Sequence, residues 1–373
     1  MSPDGASYRA AGVDYEVLDA GKRQALARAL STSPLLAARG GEALDASRGE
    51  PAFVFELGSQ TLAFVVEGLG TKAMIARAVL EQAGVNRFAD VAYDTVAAIA
   101  NDLCCVGALP LVINAYFATG SSEWYARPDR SGALLEGWEQ ACRDAGATWG
   151  GGESPSLPGL LAEDEIELAG AAVGALAPGV RPLLGEDLRA GDEIVLVASS
   201  GLHANGASLA RMLAGRLPDG YATRLEGGTS FGEALLAPSA MYVPLVARLL
   251  EAQQAGRLSI HYLSHITGHG LMKLMRPRRE LTYVVERLPP VPEVLSFLVE
   301  RAELDARAAY STFNMGAGFA VYCGAGGGSA VVEHAEALGL RALVAGAVDD
   351  GPRRVLLDAV GVSFEGGELE LSA

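Results

Sequence analysis

Glu67-Gly68-Leu69-Gly70-Thr71-Lys72 sets a carboxylate, two glycines, a hydroxyl and an ammonium within six residues, directly after the apolar run Thr61–Val66. At a strand end such a set can hold a divalent ion on the carboxylate. Gly68 and Gly70 let main-chain N–H groups approach phosphate oxygens, and Lys72 supplies fixed positive charge. The segment is not a Walker loop, because GxxxxGK[ST] puts the hydroxyl after the lysine and here Thr71 precedes it. Taken alone, a strand, a glycine turn and a surface lysine is the plainer reading.

Four other places carry polar groups where elements end. Asp94 and Asn101 lie seven apart in an Ala/Val/Ile-rich helical stretch, about 20° apart around a helix axis, with Asp102 beside them. Their common face is either solvated or a ligand or metal contact. In Trp149–Gly159, glycines including Gly151 and Gly152 precede Glu153, giving either a backbone that passes close to a ligand or an ordinary Gly/Pro loop. Ser199–Gly206 reads as a strand-to-helix turn whose free N–H groups form an anion site, with His203 and Asn205 able to bind phosphate or sugar. His265–Gly270 repeats that arrangement with Thr267 and Gly268; a lone histidine is usually structural, but two such turns favour a phosphate site. GxSxG, HExxH and a strand-following GxGxxG are all missing, so phosphoryl transfer by positioning is the class these residues suit.

The elements that must position these groups alternate along the chain. Strands are expected at Ala52–Leu57, Leu62–Val66, Leu109–Ala118 and Ile166–Leu176, and helices at Ala73–Ala83, Asp90–Gly107 and Ser131–Gly146. Pro, Gly and charge accumulate over Ala177–Asp192, which divides the chain into domains 1–180 and 181–373. The second half reads as strands Glu193–Ala198, Leu258–Leu263, Leu281–Val285, Gly318–Cys323 and Val355–Leu357. Helices there start at Ala207, span Ala240–Ala255 and follow the Gly-rich turn at Gly268–Met275. Mixed strands and helices in both halves predict an α/β (α+β) protein of two domains, each a mixed sheet packed with helices.

The chain has 373 residues and a formal charge of −16, which disfavours nucleic acid and anionic lipid as non-specific partners. No apolar run is long enough for a membrane span, and the N-terminus lacks the layout of a secretory signal. Four cysteines without framework spacing suit buried thiols in a cytoplasmic protein.

In these same segments the sequence resembles the aminoimidazole ribonucleotide synthetase (phosphoribosylformylglycinamidine cyclo-ligase) family. SYRAAGVDYEVLDAG at 7–21, EGLGTK at 67–72, NDLCCVGALP at 101–110, YFATG at 116–120 and GGESPSLPG at 151–159 follow that family's order. SSGLHANGASLAR at 199–211, LLAPSAMYV at 235–243, HITGHG at 265–270 and STFNMGAG at 311–318 complete it. The resemblance implies a homodimer of two α/β domains per subunit, with the N-terminal sheets pairing across the dimer, acting on a small nucleotide substrate. It implies ATP and Mg²⁺, used to activate the formamide oxygen of formylglycinamidine ribonucleotide before the amidine nitrogen closes the imidazole ring. Carried over by position, Glu67, Asp94 and Asp102 would lie at the metal. Gly68, Gly70, Thr71, Lys72, Asn101, Gly151 and Gly152 would bind ATP with them. Lys72, Glu153, His203 and His265 would take catalytic roles, and Ser200, His203, Asn205, Thr267 and Gly268 would hold substrate.

Several positions depart from the family pattern. Glu67 stands for its Asp, Ala115 for an Asp, and Ser156 for an acid; its HLTGGG is HITGHG, followed by Met272-Lys273-Leu274 where an Asn is usual; Gly40-Gly41-Glu42 is a reduced glycine-rich loop. These changes leave two alternatives beside ring closure: a paralogue acting on another carbonyl substrate, and a non-catalytic dimeric binding protein.

Overall fold

The computed structural model describes residues 15–369, so the motif at 7–21 lies partly outside the described residues. The first sheet is built from β1 (Gly41–Ala43), β2 (Phe53–Leu57), β3 (Gln60–Gly68), β4 (Leu109–Thr119), β5 (Thr148–Glu153) and β6 (Ile166–Ala175), in the order β1-β2-β3-β6-β4-β5. All neighbours pair antiparallel except β4 and β5. Strand alternation sorts the side chains of β3: Ala63 and Val65 turn into the core, Phe64 and Val66 away from it. Helices α1 (Tyr15–Leu30), α2 (Lys72–Ala83), α3 (Phe88–Cys104) and α4 (Pro128–Asp144) belong to this half. Helix α2 stops where Gly84 turns left-handed at φ 69° and its N–H caps the Leu80 carbonyl.

The second sheet holds β7 (Glu193–Ala198), β8 (Ile260–His265), β9 (Leu281–Val285), β10 (Ala317–Cys323), β11 (Ala342–Asp350), β12 (Arg354–Leu357) and β13 (Val362–Glu365), in the order β13-β12-β9-β11-β7-β10-β8. Only β12 and β9 pair in parallel. Residues of β8 and β10 are buried throughout, β10 as a continuous apolar strand covered on both faces should be. Around the sheet lie α5 (Ala207–Ala214), α6 (Phe231–Leu235), α7 (Val243–Gln254), α8 (Glu293–Arg301), α9 (Ala306–Thr312) and α10 (Gly328–Glu336). The expected class, two domains with one mixed sheet each, is what the chain forms.

Three local readings differ. Thr148–Glu153 is an edge strand, not a loop: a Cβ on Gly150 would stand 2.4 Å from Asn114 Oδ1, and one on Gly152 2.1 Å from the Ala115 carbonyl oxygen. Those glycines let β5 lie close against β4. Gly270–Met275 is a 3-10 turn rather than an α-helix. Strand β11, central in its sheet, was not anticipated because Gly346 interrupts its apolar pattern; a Cβ there would stand 1.9 Å from the Val284 carbonyl oxygen.

The two halves are fastened through α3. Its Asp94 and Asn101, on one face as their spacing predicts, are fully buried against the segment before α7. The Ser239 N–H donates to Asp94 Oδ1 at 2.7 Å. Asn101 donates to the Ala240 carbonyl at 2.9 Å and accepts the Tyr242 N–H at 2.8 Å. Lys72, at the start of α2 and also fully buried, pairs with Asp94 and donates to the His203 carbonyl at 2.9 Å. Lys72, Asp94 and Asn101 each make a hydrogen bond across the boundary, and the two charges also neutralise each other, which is the condition for burying charge without a large penalty. Removing one member strands the other: Asp94→Ala is expected to cost about 3–5 kcal/mol of unfolding free energy in urea titration. A loss below about 1 kcal/mol would show that the pair does not hold the domains.

Candidate active site

A cavity of about 420 Å³ opens beside this clamp, between the two sheets. The end of β3 brings Glu67 and Gly68, α3 brings Ala98 and Asp102, and α1 brings Lys22; Gly49, Glu50 and Pro51 come from the loop before β2. From the second domain, the turn after β7 supplies Ala204 and Asn205. The end of β8 and its following turn supply His265, Thr267, Gly268, His269, Lys273 and Arg276.

Charge is closely matched here. Burial alone would raise the Asp102 carboxyl, but the hydrogen bond and charge of His265, with Lys273 and Arg276 nearby, hold it down to about 2. His265 Nδ1 stands 2.6 Å from Asp102 Oδ1, and since an ionised carboxylate only accepts, the imidazole proton lies on Nδ1. Glu67 moves the other way, pushed up to about 8 by burial and then by the Asp102 charge, against the pull of Lys273. The two carboxyls therefore share one proton at neutral pH, carried by Glu67. Burial, then the Arg276 charge, brings the Lys273 ammonium down to about 8, and it donates to Thr267 Oγ1. Glu50 is raised by burial, although Arg276 lies 3.8 Å away and the Tyr262 hydroxyl donates to it at 2.6 Å. A cleft with movable protons and three cations, Lys22, Lys273 and Arg276, is equipped to hold an anion whose charge changes during reaction.

Of the residues picked out from sequence, Glu67, Gly68, Asp102, Asn205, His265, Thr267 and Gly268 line this cavity. Lys72, Asp94 and Asn101 lie behind it in the clamp, and Thr71 bridges to Ser208 at 3.3 Å between hydroxyl oxygens. Gly70 makes the left-handed turn at φ 70° that joins β3 to α2. His203 is buried, with Nε2 accepting the Ser200 N–H at 3.1 Å; burial, then His265 and Lys72, keeps it neutral by driving its pKa well below the usual value. Ser200 borders a separate hollow with Arg87 and Glu233, while Gly151 and Gly152 border another with Phe117 and Trp149. Glu153 is exposed on β5, its Oε1 accepting the Ser154 N–H at 3.1 Å. Sequence reading passed over Lys22, Glu50 and Arg276; the run Arg276-Pro277-Arg278-Arg279 was the available signal for the last. The adjacent thiols of Cys104 and Cys105 are raised by burial and both donate to the Asn101 carbonyl at 3.2 Å, which makes them packing groups.

Among the described residues, no three His, Cys, Asp or Glu side chains are grouped to hold a metal, because Asp94 is committed to the clamp. Glu67 and Asp102 remain as a two-carboxylate set, and a shared proton marks a place where a cation can stand instead. Mg²⁺ commonly takes one or two carboxylates together with substrate phosphates, so the pair fits it.

Two mixed-sheet domains meeting at a charged, clamped cleft define a two-domain α/β protein built for a small anionic ligand. The family model described as AIR synthase related protein, N-terminal domain, matches residues 49–176, and that for the C-terminal domain matches residues 189–358. The chain belongs to the AIR synthase related protein family. It is 33% identical over 278 residues to the phosphoribosylformylglycinamidine cyclo-ligase of Methanobrevibacter smithii, covering 73% of this chain and 76% of that one. The enzyme of the same name from Methanothermobacter thermautotrophicus is 32% identical, over 83% of this chain and 86% of its own. Among solved structures, AaThiL complexed with AMPPCP and TMP superposes with a TM-score of 0.56 at 15% identity, covering 85% of this chain and 90% of that one, a likeness of fold.

Because Glu67 binds its proton more tightly when folded, its contribution to stability falls as pH rises from about 4.5 towards 8. Asp102 acts oppositely and only below about pH 4, and Lys273 only above about 8. Thermal melts between pH 5 and 8 are therefore expected to show wild type losing stability relative to Glu67→Gln as pH rises. Parallel curves for the two proteins would remove the raised carboxyl.

Proposed function

We propose that this protein is an ATP-dependent cyclo-ligase that converts formylglycinamidine ribonucleotide to aminoimidazole ribonucleotide, ADP and phosphate, a step of purine biosynthesis. The observation that carries the reading is the 33% identity, over 73% of the chain, to a protein of that name, within a chain whose two halves both match the family. The cleft supports it chemically. Transfer of the γ-phosphoryl group to the formamide oxygen turns that oxygen into a leaving group; the amidine nitrogen attacks the carbon, the C–O bond breaks and phosphate departs. Lys22, Lys273 and Arg276 offset the phosphoryl charge, and the Glu67–Asp102 pair stores a proton beside it. Glu67 and Asp102 would hold Mg²⁺, which screens the phosphate oxygens when bound. Cysteines that are all free and buried agree with a cytoplasmic setting.

A second reading has a specific observation behind it. Lys273 and His269 both line the cleft where the resembling family pattern HLTGGG, followed by an Asn, has neither, so the site gains an ammonium and an imidazole. A paralogue acting on a different, more anionic carbonyl substrate would use them. Among the described residues no helix is long and apolar enough to cross a membrane.

The assembly we propose is a homodimer through the first sheet. Its face opposite α3 and α4 is apolar and open: Phe64, Val173 and Val112 form one row across β3, β6 and β4, and Val66 is 62% exposed beside them. A second copy laying the same face against it would bury both. Phe64→Asp combined with Val66→Asp is expected to move the protein from dimer to monomer in light-scattering chromatography; an unchanged mass would place the interface elsewhere.

The activity is tested by ADP release with Mg²⁺-ATP, with and without formylglycinamidine ribonucleotide, alongside detection of the aminoimidazole. Equal, substrate-dependent yields of ADP and product are expected. ATP binding without turnover would favour the paralogue.

A further inference from the structure

At the end of β8 opposite His265, three side chains form a row: Asp192, the residue before β7, then His261 and Ser259. His261 Nδ1 stands 2.7 Å from Asp192 Oδ2, and His261 Nε2 stands 2.7 Å from Ser259 Oγ. Asp192 and His261 are buried, while Ser259 is exposed. Ser259 lies immediately before β8 and His261 within it, two residues on, so the extended chain turns both to one face. Strand β10 runs between β7 and β8 and is followed by Gly324. A Cβ on that glycine would stand 3.6 Å from Ser259 Cβ and 3.7 Å from His261 Cε1, so its absence keeps the hydroxyl and the imidazole uncovered.

Hydrogen bonding fixes the direction of the row. Asp192 Oδ2 also accepts the Arg189 main-chain N–H at 3.0 Å, so that oxygen is an acceptor and the imidazole proton lies on Nδ1. His261 Nε2 then carries the lone pair, and the Ser259 hydroxyl donates to it. Main-chain bonds hold both ends in place: the Asp192 carbonyl accepts the Val348 N–H at 2.8 Å, and the Ser259 carbonyl accepts the Gly324 N–H at 2.9 Å. A buried Asp–His pair alone would be a tie between strands. Here the remaining ring nitrogen is aimed at an exposed hydroxyl, which is the arrangement of nucleophile, base and orienting acid used in covalent catalysis, recognised by geometry and not by chain order.

We propose that Ser259 is a nucleophile toward small activated acyl esters, with His261 as its general base and Asp192 as the positioning residue that orients the base. Ser259 Oγ attacks the ester carbonyl carbon while its proton passes to His261 Nε2. The bond from that carbon to the leaving oxygen breaks, and the proton follows the departing oxygen. The acyl group stays on Ser259 until water, deprotonated by the same imidazole, attacks the carbonyl and restores the hydroxyl. Ser259 is open to solvent, so an ester with a good leaving group and a short acyl chain is the class it takes. His261 and His265 are four residues apart on β8, roughly 13 Å along the strand, which separates this chemistry from the main cleft.

The test is incubation of the full-length protein with p-nitrophenyl acetate, followed by nitrophenolate release and peptide mass mapping. Release above the buffer blank is expected, with an acetyl group on the peptide that contains Ser259. Ser259→Ala, a change at an exposed position, should remove that acetylated peptide. His261→Gln and Asp192→Asn should each slow the Ser259-dependent release by about a hundredfold while melting as wild type does. Because these two changes are buried and can disturb the fold, a fluorophosphonate probe is also applied to the wild type. It should label Ser259 in the native protein and not in urea. No release above the blank, acetylation confined to lysines, wild-type release in Ser259→Ala or in a natively melting His261→Gln, or equal labelling of native and unfolded protein overturns the proposal. No ATP or ribonucleotide enters the assay, so failure here is distinguishable from failure of the ring-closing reading.

Discussion

The buried Lys72–Asp94 pair is the interaction on which the arrangement rests. Two opposite charges with no exposed surface are tolerable only when each is fully engaged, and here their remaining bonds run to His203 and Ser239 in the other domain. Neither domain alone could keep these groups satisfied, so the boundary is a fixed joint whose geometry is set by hydrogen bonds. The cleft inherits that rigidity. Asp102, one residue beyond the Asn101 bond to Ala240 and Tyr242, meets His265 from the opposite sheet because α3 is already locked at that depth.

Fixing the walls also explains the unusual titration of the cleft. Glu67 and Asp102 are brought together by β3 and α3, and Lys273 and Arg276 are brought against them by the turn after β8. The acids cannot separate and the cations cannot leave, so the proton settles on Glu67. A divalent ion arriving with phosphates would meet a carboxylate pair that needs to lose only one proton.

Much of this was legible in the sequence, and the unread parts share a cause. Short strands with clean alternation or continuous apolar runs, such as Glu193–Ala198 and Leu281–Val285, have the expected bounds. The seven-residue spacing of Asp94 and Asn101 put them on one face. What spacing could not say was whether that face met a ligand or the other domain, because the choice depends on a segment some 140 residues away. Strands β5 and β11 escaped notice because their glycines are there for close approach of neighbouring backbone, which no local pattern records. Glu50 and Arg276 joined the site through contacts across the boundary, for the same reason.

The two site turns show what the departures from the family pattern require. His203 and His269 have φ of 60° and 72°, a left-handed conformation that favours glycine. Holding a bulkier residue there costs on the order of 1–3 kcal/mol and persists only when the surroundings fix it. The resembling pattern HLTGGG has glycine where His269 stands, whereas Gly270 could not be replaced in the same way, since a Cβ there would stand 2.2 Å from the Tyr310 carbonyl oxygen. His269 holds this conformation where that pattern has glycine, and it lines the cleft beside Lys273. Glu67, His269 and Lys273 put three of the departures in the cleft wall, whereas Ala115 borders the separate hollow with Phe117 and Trp149, and the residues of the joint are untouched.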